Sequence, residues 1–379
     1  MKIGIVCYPT YGGSGVVATE LGRYLAAKGH EVHFFAYELP ARLDFFNENV
    51  FYHEVMVSEY PLFRYPPYEL ALTSKVVDLV KTTRLDVLHV HYAIPHAAAA
   101  VMAKYILSAE GINIPVITTL HGTDITLVGK DPTYTPVITH SLNMSDGITA
   151  VSESLKRDTY KYFKVEKEIM VIPNFVDFSR FKKQPKEHFK KAIAPNNERI
   201  IVHTSNFRKV KRVQDVIEIF SIIQKTIPAR LLLVGDGPER QKMEALCKDY
   251  DICDRVTFLG KQDAVEEILS VGDLFLLPSE TESFGLAALE AMACEVPVVA
   301  SNTGGIPEVI VDGVVGFTCP VGDVQEMAKK SIYILEDNER LRNFKIQAGR
   351  HAESYDISAI GPKYEECYHK VIERVLQEN

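Results

Sequence analysis

Short runs of apolar and β-branched residues, each closed by turn residues, recur through the first half of the chain at positions 2–7, 31–35, 50–54, 86–91, 115–120, 147–151 and 168–172. Between most of them the apolar positions switch to helical spacing, over 16–28, 68–82 and 152–162. Strands alternating with helices of about 10–15 residues predict βαβ units, and such units lay their strands side by side in a parallel sheet covered on both faces. Around Ile172-Pro-Asn-Phe-Val-Asp177 and the charged stretch to Lys191, turn residues replace apolar anchors and the rhythm breaks. It resumes at 199–204, 229–234, 255–259, 273–277, 296–300 and 316–319. The pattern predicts an α/β chain of two Rossmann-like, doubly wound domains, 1–172 and 173–353, facing a cleft. Residues from about 354 to 379 form an amphipathic helix with no strand to feed, and periodicity leaves open which domain they cover.

Composition narrows the function. Apolar residues make up 46% and charged residues 24% of the 379 positions, as in an ordinary globular protein. The formal charge of -8, without a stripe of Lys and Arg, argues against a nucleic-acid partner, so an anionic ligand needs a local site. Cys7, Cys247, Cys253, Cys294, Cys319 and Cys367 form no CxxC pair and read as reduced thiols. The N-terminal run carries no pattern of an export signal, and the most apolar helical stretch, 97–109, is too short to span a bilayer. A cytoplasmic chain without a membrane span is expected.

Ligands of open α/β sheets bind beyond the carboxyl ends of the strands, so the loops there hold the candidate chemistry. The first is Tyr8-Pro-Thr-Tyr-Gly-Gly-Ser-Gly15. Its glycines let backbone N–H groups approach a phosphate or a sugar at a helix start. Gly13, Gly15 and Ala18 also fit a dinucleotide fingerprint, with Glu38 near the place of a ribose-binding acid. That fingerprint needs its first glycine directly after the strand, whereas about five residues intervene here.

The second loop is Ser279-Glu-Thr-Glu282-Ser-Phe-Gly-Leu-Ala-Ala-Leu-Glu290. Ser283 is the expected N-cap, leaving the N–H groups of Gly285 and Leu286 to face an anion. Glu282 stands just outside the helix and Glu290 about two turns inside it. A carboxylate at a helix start favours the helix dipole, which accounts for Glu282 but not for Glu290 on an apolar helix. A carboxylate can also accept both hydroxyls of a ribose diol, or those of a sugar.

The Glu282 to Glu290 spacing resembles the E-x7-E signature of the retaining glycosyltransferases of family 4, which have the GT-B fold. Five further motifs recur in that family's order beside the glycine loop: His121-Gly-Thr-Asp124, Ile172-Pro-Asn174, Gly235-Asp-Gly-Pro238, Phe258-Leu-Gly260 and Gly304-Gly-Ile-Pro-Glu308. The resemblance implies that Glu290 holds the nucleotide ribose, Glu282 the hydroxyls of the donor sugar, and His121 the same sugar by a hydrogen bond. It implies diphosphate contacts from Gly285, Leu286 and Lys211, with Ser283, Phe284 and Gly15 lining the donor site. The arginine usual five residues before the lysine is replaced by Asn206, and Arg208 is the substitute to test.

Same-face attack, with the departing diphosphate taking the acceptor proton, is the implied route, and no cofactor or metal is implied. His89 and His91 share a strand face but lack a carboxylate or cysteine to complete a metal set. Asp249-Tyr-Asp251 reads as exposed charge. The segments Gly12-Gly-Ser-Gly15, Arg64-Tyr-Pro-Pro67 and His91-Tyr92 narrow the resemblance to family members that use UDP-GlcNAc and L-malate at the start of bacillithiol synthesis. Ser14, Arg64, Tyr92 and Thr119 are then the acceptor candidates, with Arg64 either forking onto a carboxylate or lying over Phe63 and Tyr65. A homodimer is the assembly to test. Rival readings are another small acceptor, a nicotinamide-dependent oxidoreductase, a phosphorylase of similar shape, and a sugar-nucleotide sensor without turnover.

Overall fold

The computed structural model describes residues 1–43, 48–57 and 64–377. The chain divides into two compact units, Met1–Asn174 with Ile357–Asn379, and Phe175–Asp356. In the first, strands β1 (Lys2–Val6), β2 (Glu31–Ala36), β3 (Val50–Glu54), β4 (Val87–His91), β5 (Val116–Leu120), β6 (Gly147–Ala150) and β7 (Ile169–Val171) form a sheet in the order β3-β2-β1-β4-β5-β6-β7. In the second, β8 (Arg199–Thr204), β9 (Ala229–Val234), β10 (Val256–Gly260), β11 (Leu274–Leu277), β12 (Val298–Ser301) and β13 (Gly316–Cys319) run in the order β10-β9-β8-β11-β12-β13. The pairings within both sheets are parallel. Burial on both faces explains why the central strands read as nearly continuous apolar runs, whereas the edge strand β3, Val-Phe-Tyr-His-Glu, has no buried residue.

Each sheet reverses its winding once, between β1 and β4 and between β8 and β11. A crevice opens where successive connections leave in opposite directions. The loops beside these two points are 7–12 and 92–97 in the first unit, and 205–212 and 278–285 in the second. They contain Tyr92, Asn206, Arg208, Lys211, Glu282, Ser283, Phe284 and Gly285 of the residues singled out from the sequence.

The C-terminal helix, Ile357–Gln377, belongs to the first unit, and its side chains explain the docking. Tyr368 Oη lies 2.7 Å from His89 Nδ1, and Glu365 accepts from His30 at 2.9 Å. A methyl built at Gly361 would stand 2.3 Å from the Tyr24 ring, so the helix backbone rests on that ring. Tyr364 and Tyr368 are fully buried. No helix among the described residues is long and apolar enough to cross a membrane.

Candidate active site

In the second unit, the chain leaving β8 passes Ser205 and Asn206, turns at Phe207 (φ +37°), and forms a short 3-10 turn, Lys209–Lys211. Phe207 is buried and anchors this loop, while Asn206 and Arg208 are exposed. Lys211 Nζ donates to Glu282 Oε1 at 2.6 Å, and Ser279 Oγ donates to the same oxygen at 2.8 Å. Glu282 Oε2 takes no hydrogen bond among the described residues, so it keeps its capacity to accept from a ligand hydroxyl.

Glycines hold both loops from behind. A methyl at Gly304 (φ +56°) would fall 1.8 Å from the Glu282 carbonyl oxygen, and one at Gly305 2.3 Å from that of Ser283. The Gly305 N–H donates to the Glu282 carbonyl at 2.9 Å. Gly235 and Gly237 meet the carbonyls of Ser205 and Asn206 in the same way, at 1.8 and 2.0 Å. The motifs Gly235-Asp-Gly-Pro238 and Gly304-Gly-Ile-Pro-Glu308 are therefore backbone supports for the loops that carry Lys211 and Glu282.

The expected cap is corrected. Gly285, at φ +97°, caps the helix Leu286–Ala293, and Ser283 precedes it without capping. An αL conformation suits glycine, and the cap residue brings no side-chain hydrogen bond to the helix start. The first bonds back to Gly285 come from Ala288 and Leu289, at 3.0 and 3.1 Å. The N–H groups of Gly285, Leu286 and Ala287 precede them and remain suited to an anion. With this later start Glu290 stands about one turn into the helix rather than two, half-buried, with Ser283 half-buried and Phe284 buried edge-on to Tyr355.

In the first unit the helix Gly13–Ala27 starts three residues earlier than the apolar spacing predicts, because its first turn is made of the loop's own Gly-Ser-Gly. Gly12 caps it without a side-chain bond, which leaves the backbone donors of that turn uncovered. A methyl at Gly15 would lie 2.4 Å from the Thr10 carbonyl oxygen and 2.6 Å from that of Tyr8. Glycine is required there by the close return of the loop. Ser14 is half-buried on the same turn. The helix start at Gly13 lies well beyond the end of β1 at Val6, unlike the tight turn of a dinucleotide site.

At the carboxyl ends of β4 and β5 lies a row of buried histidines. His91 Nδ1 is 2.8 Å from His121 Nε2, with the rings stacked at 5.0 Å. His96 Nδ1 donates to the His91 carbonyl at 2.5 Å. Burial pushes His89 and His121 down to about 3 and His96 to about 4, so the row is neutral at physiological pH. Asp124 accepts from the N–H groups of Ala93 and Gly122, each at 2.9 Å, and ties the loop after β4 to the loop after β5. Burial pushes Asp124 up to about 6 despite these bonds.

Tyr92, at φ +87°, donates its N–H to the Thr119 carbonyl and meets Tyr8 edge-on at 5.3 Å. Thr119 is fully buried, and its hydroxyl lies 2.6 Å from both His89 Nε2 and Thr149 Oγ1. It supports the histidine row rather than lining an open surface. Arg64 is exposed with its guanidinium 5.4 Å from the centre of the Tyr65 ring, while Phe63 lies outside the described residues. Sequence reasoning missed the pairing of His91 with His121, the clamp by Asp124 and the bond from Ser279. The spacing of His89 and His91 was the available signal for the first. Asp249 and Asp251 are exposed, and no three His, Cys, Asp or Glu among the described residues are grouped to hold a metal ion.

The models of two families match the chain, Glycosyltransferase Family 4 over residues 11–180 and Glycosyl transferases group 1 over 184–351. The chain is 48% identical over 374 residues to N-acetyl-alpha-D-glucosaminyl L-malate synthase of Bacillus anthracis, covering 98% of this chain and 97% of the relative. It is 24% identical to a D-inositol 3-phosphate glycosyltransferase of Thermobispora bispora, covering 96% and 91%. Among solved structures, sucrose-phosphate synthase of Thermosynechococcus elongatus superposes with a TM-score of 0.82 at 20% identity, covering 99% of this chain and 100% of that one. HepE of Anabaena with UDP and glucose superposes with a TM-score of 0.81 at 21% identity, covering 97% and 99%. With two Rossmann-like units of the GT-B class and motif loops at both winding reversals, the chain belongs to glycosyltransferase family 4.

Proposed function

We propose that this glycosyltransferase moves N-acetylglucosamine from UDP-GlcNAc to the hydroxyl of L-malate with retention of configuration, the opening step of bacillithiol synthesis. The observation that carries the donor chemistry is the Lys211–Glu282 pair at 2.6 Å, beside a helix start that no side chain caps. The substrates follow the relative that shares 48% identity over almost the whole chain. In this reading Glu290 accepts both ribose hydroxyls and Glu282 Oε2 accepts from the sugar. Lys211, Arg208 and the N–H groups of Gly285 and Leu286 take the charge that builds on the diphosphate as its bond to the anomeric carbon breaks. The malate hydroxyl attacks that carbon from the same face, and its proton passes to the leaving diphosphate. Ser14, Tyr92 and Arg64 hold malate, with Thr119 acting from behind through His89.

The test is UDP release by the purified protein across donors and acceptors. Release that needs UDP-GlcNAc and L-malate together supports the reading, and indifference to malate overturns the acceptor. Arg64→Ala then raises the malate KM by about tenfold or more, the size of one charged hydrogen-bonded contact, with UDP-GlcNAc affinity retained. Unchanged malate kinetics remove Arg64 from the site.

A further inference from the structure

Two histidines in van der Waals stacking, both buried and both neutral, can share a hydrogen bond in only one of two ways. Either His91 Nδ1–H donates to His121 Nε2, or His121 Nε2–H donates to His91 Nδ1. The surroundings separate the two. His91 Nε2 is buried and has no partner, and so is His96 Nε2. The bond from His96 Nδ1 to the His91 carbonyl fixes the proton of His96 on Nδ1, because a carbonyl can only accept. His96 thus carries a bare Nε2, and its ring serves to hold the His91 backbone. If His121 were the donor, His91 would bury an N–H with no acceptor, a rare arrangement in folded proteins. If His91 is the donor, its orphan nitrogen is a lone pair and no N–H is left over.

We infer that His91 is a positioning residue that fixes His121 in its Nδ1–H form, so that His121 presents a hydrogen-bond donor to the substrate. The inference rests on the reading of His121 as a contact to the donor sugar. His121 Nδ1 carries no hydrogen bond among the described residues, and 7% of the residue stays exposed. Asp124 holds the two loops in register by its bonds to Ala93 and Gly122. Tyr92 lies against the other side of His121, with ring centres 5.5 Å apart, and His89 stacks behind His91 at 4.4 Å. The titratable groups that face the pair are therefore His89, His96, Asp124 and Tyr92, and none of them supplies an acceptor to His91 Nε2.

The direct test is nitrogen NMR of the wild-type protein labelled at histidine, with His121 assigned by its absence in His121→Gln. An Nδ1–H signature for His121 is expected, and an Nε2–H signature overturns the inference without any variant of His91. The functional arm compares His91→Phe, which keeps a stacking ring, with His91→Asn, whose amide can still donate from near the Nδ1 position. His91→Phe should lower kcat/KM for the donor by about tenfold or more, leave affinity for UDP itself unchanged, and mix the His121 tautomers. His91→Asn should restore most of the activity and the tautomer. Full activity of His91→Phe with His121→Ala inactive sinks this inference alone. Full activity of His121→Ala removes the underlying reading of His121, and the inference with it.

Discussion

The two units wind their sheets in the same order and place loops at the same reversal points, yet they fill those points with opposite electrostatics. In the second unit the polar groups are charged and partly exposed: Lys211 and Glu282 keep 23% and 12% of their side chains accessible, and Arg208 reaches solvent without an ion pair among the described residues. In the first, His89, His91 and His96 are wholly buried, His121 nearly so, and all are uncharged. A charge costs little where water still reaches it and much where it does not. One fold therefore offers fixed, partly exposed charge at one reversal point and neutral, buried imidazoles at the other, which is the division of labour the proposed function requires.

The most severe challenge to this contrast is Lys211→Ala. If charge on the second unit stabilises the leaving diphosphate, turnover falls by about 10²–10³, the usual cost of losing one preorganised donor to developing charge. UDP release under saturating donor measures it, and a loss below about threefold would move the catalytic charge elsewhere.

Acid separates the units next. The folded pKa values of His89, His96 and His121 lie near 3, 4 and 3, below the ordinary 6.5. The unfolded chain therefore binds protons first, so the stability these groups contribute is complete above about pH 6.5 and drains as pH falls toward 3–4. At pH 5 each costs up to about 2 kcal/mol. Asp124 works in the opposite direction, because its folded pKa of about 6 stands above 3.8, and protonation regains about 1.4 kcal/mol at pH 5. In the second unit His203, near 4, is the buried histidine that behaves in this way. Urea unfolding followed by circular dichroism should show the first unit losing more stability than the second between pH 7.5 and pH 5. The chain has no tryptophan to report instead. Equal losses in both units would break the comparison.

Glu290→Ala sharpens the donor side. Loss of two hydrogen bonds to a charged group, at about 1.5–3 kcal/mol each, predicts at least tenfold weaker UDP binding by calorimetry. Unchanged affinity in the folded variant would take Glu290 out of the nucleotide site. The smallest expected effect is that of excess EDTA. With Lys211, Arg208 and helix-start N–H groups available to neutralise a diphosphate, turnover should hold within about twofold. Activity lost to EDTA and restored by Mg²⁺ or Mn²⁺ would show that the charged site is incomplete without a metal.

Much of this was legible in one dimension. Apolar and β-branched runs with turn residues between them located the thirteen strands to within a residue or two, because most of these strands are buried on both faces and must be largely apolar along their length. The spacing of Glu282 and Glu290 and the glycines around them marked the loop proposed to hold the donor, since a turn with positive φ and a backbone in contact with another backbone both demand glycine. Other features depended on partners distant in the chain. The cap at Gly285 rather than Ser283 is set with Ile306 packed where a Gly285 side chain would stand. The C-terminal helix, amphipathic and compatible with either unit, was decided by Tyr368 meeting His89 across 279 positions. His91, the last residue of β4, and His121, the residue after β5, lie 30 positions apart and become a hydrogen-bonded pair only once β4 and β5 lie side by side. Local sequence determined which segments form strands and which loops must be glycine, because those demands act on a residue and its neighbours. Burial, tautomer and pairing were decided by the tertiary structure, because they depend on which distant groups exclude water from a side chain and which remain to accept its proton.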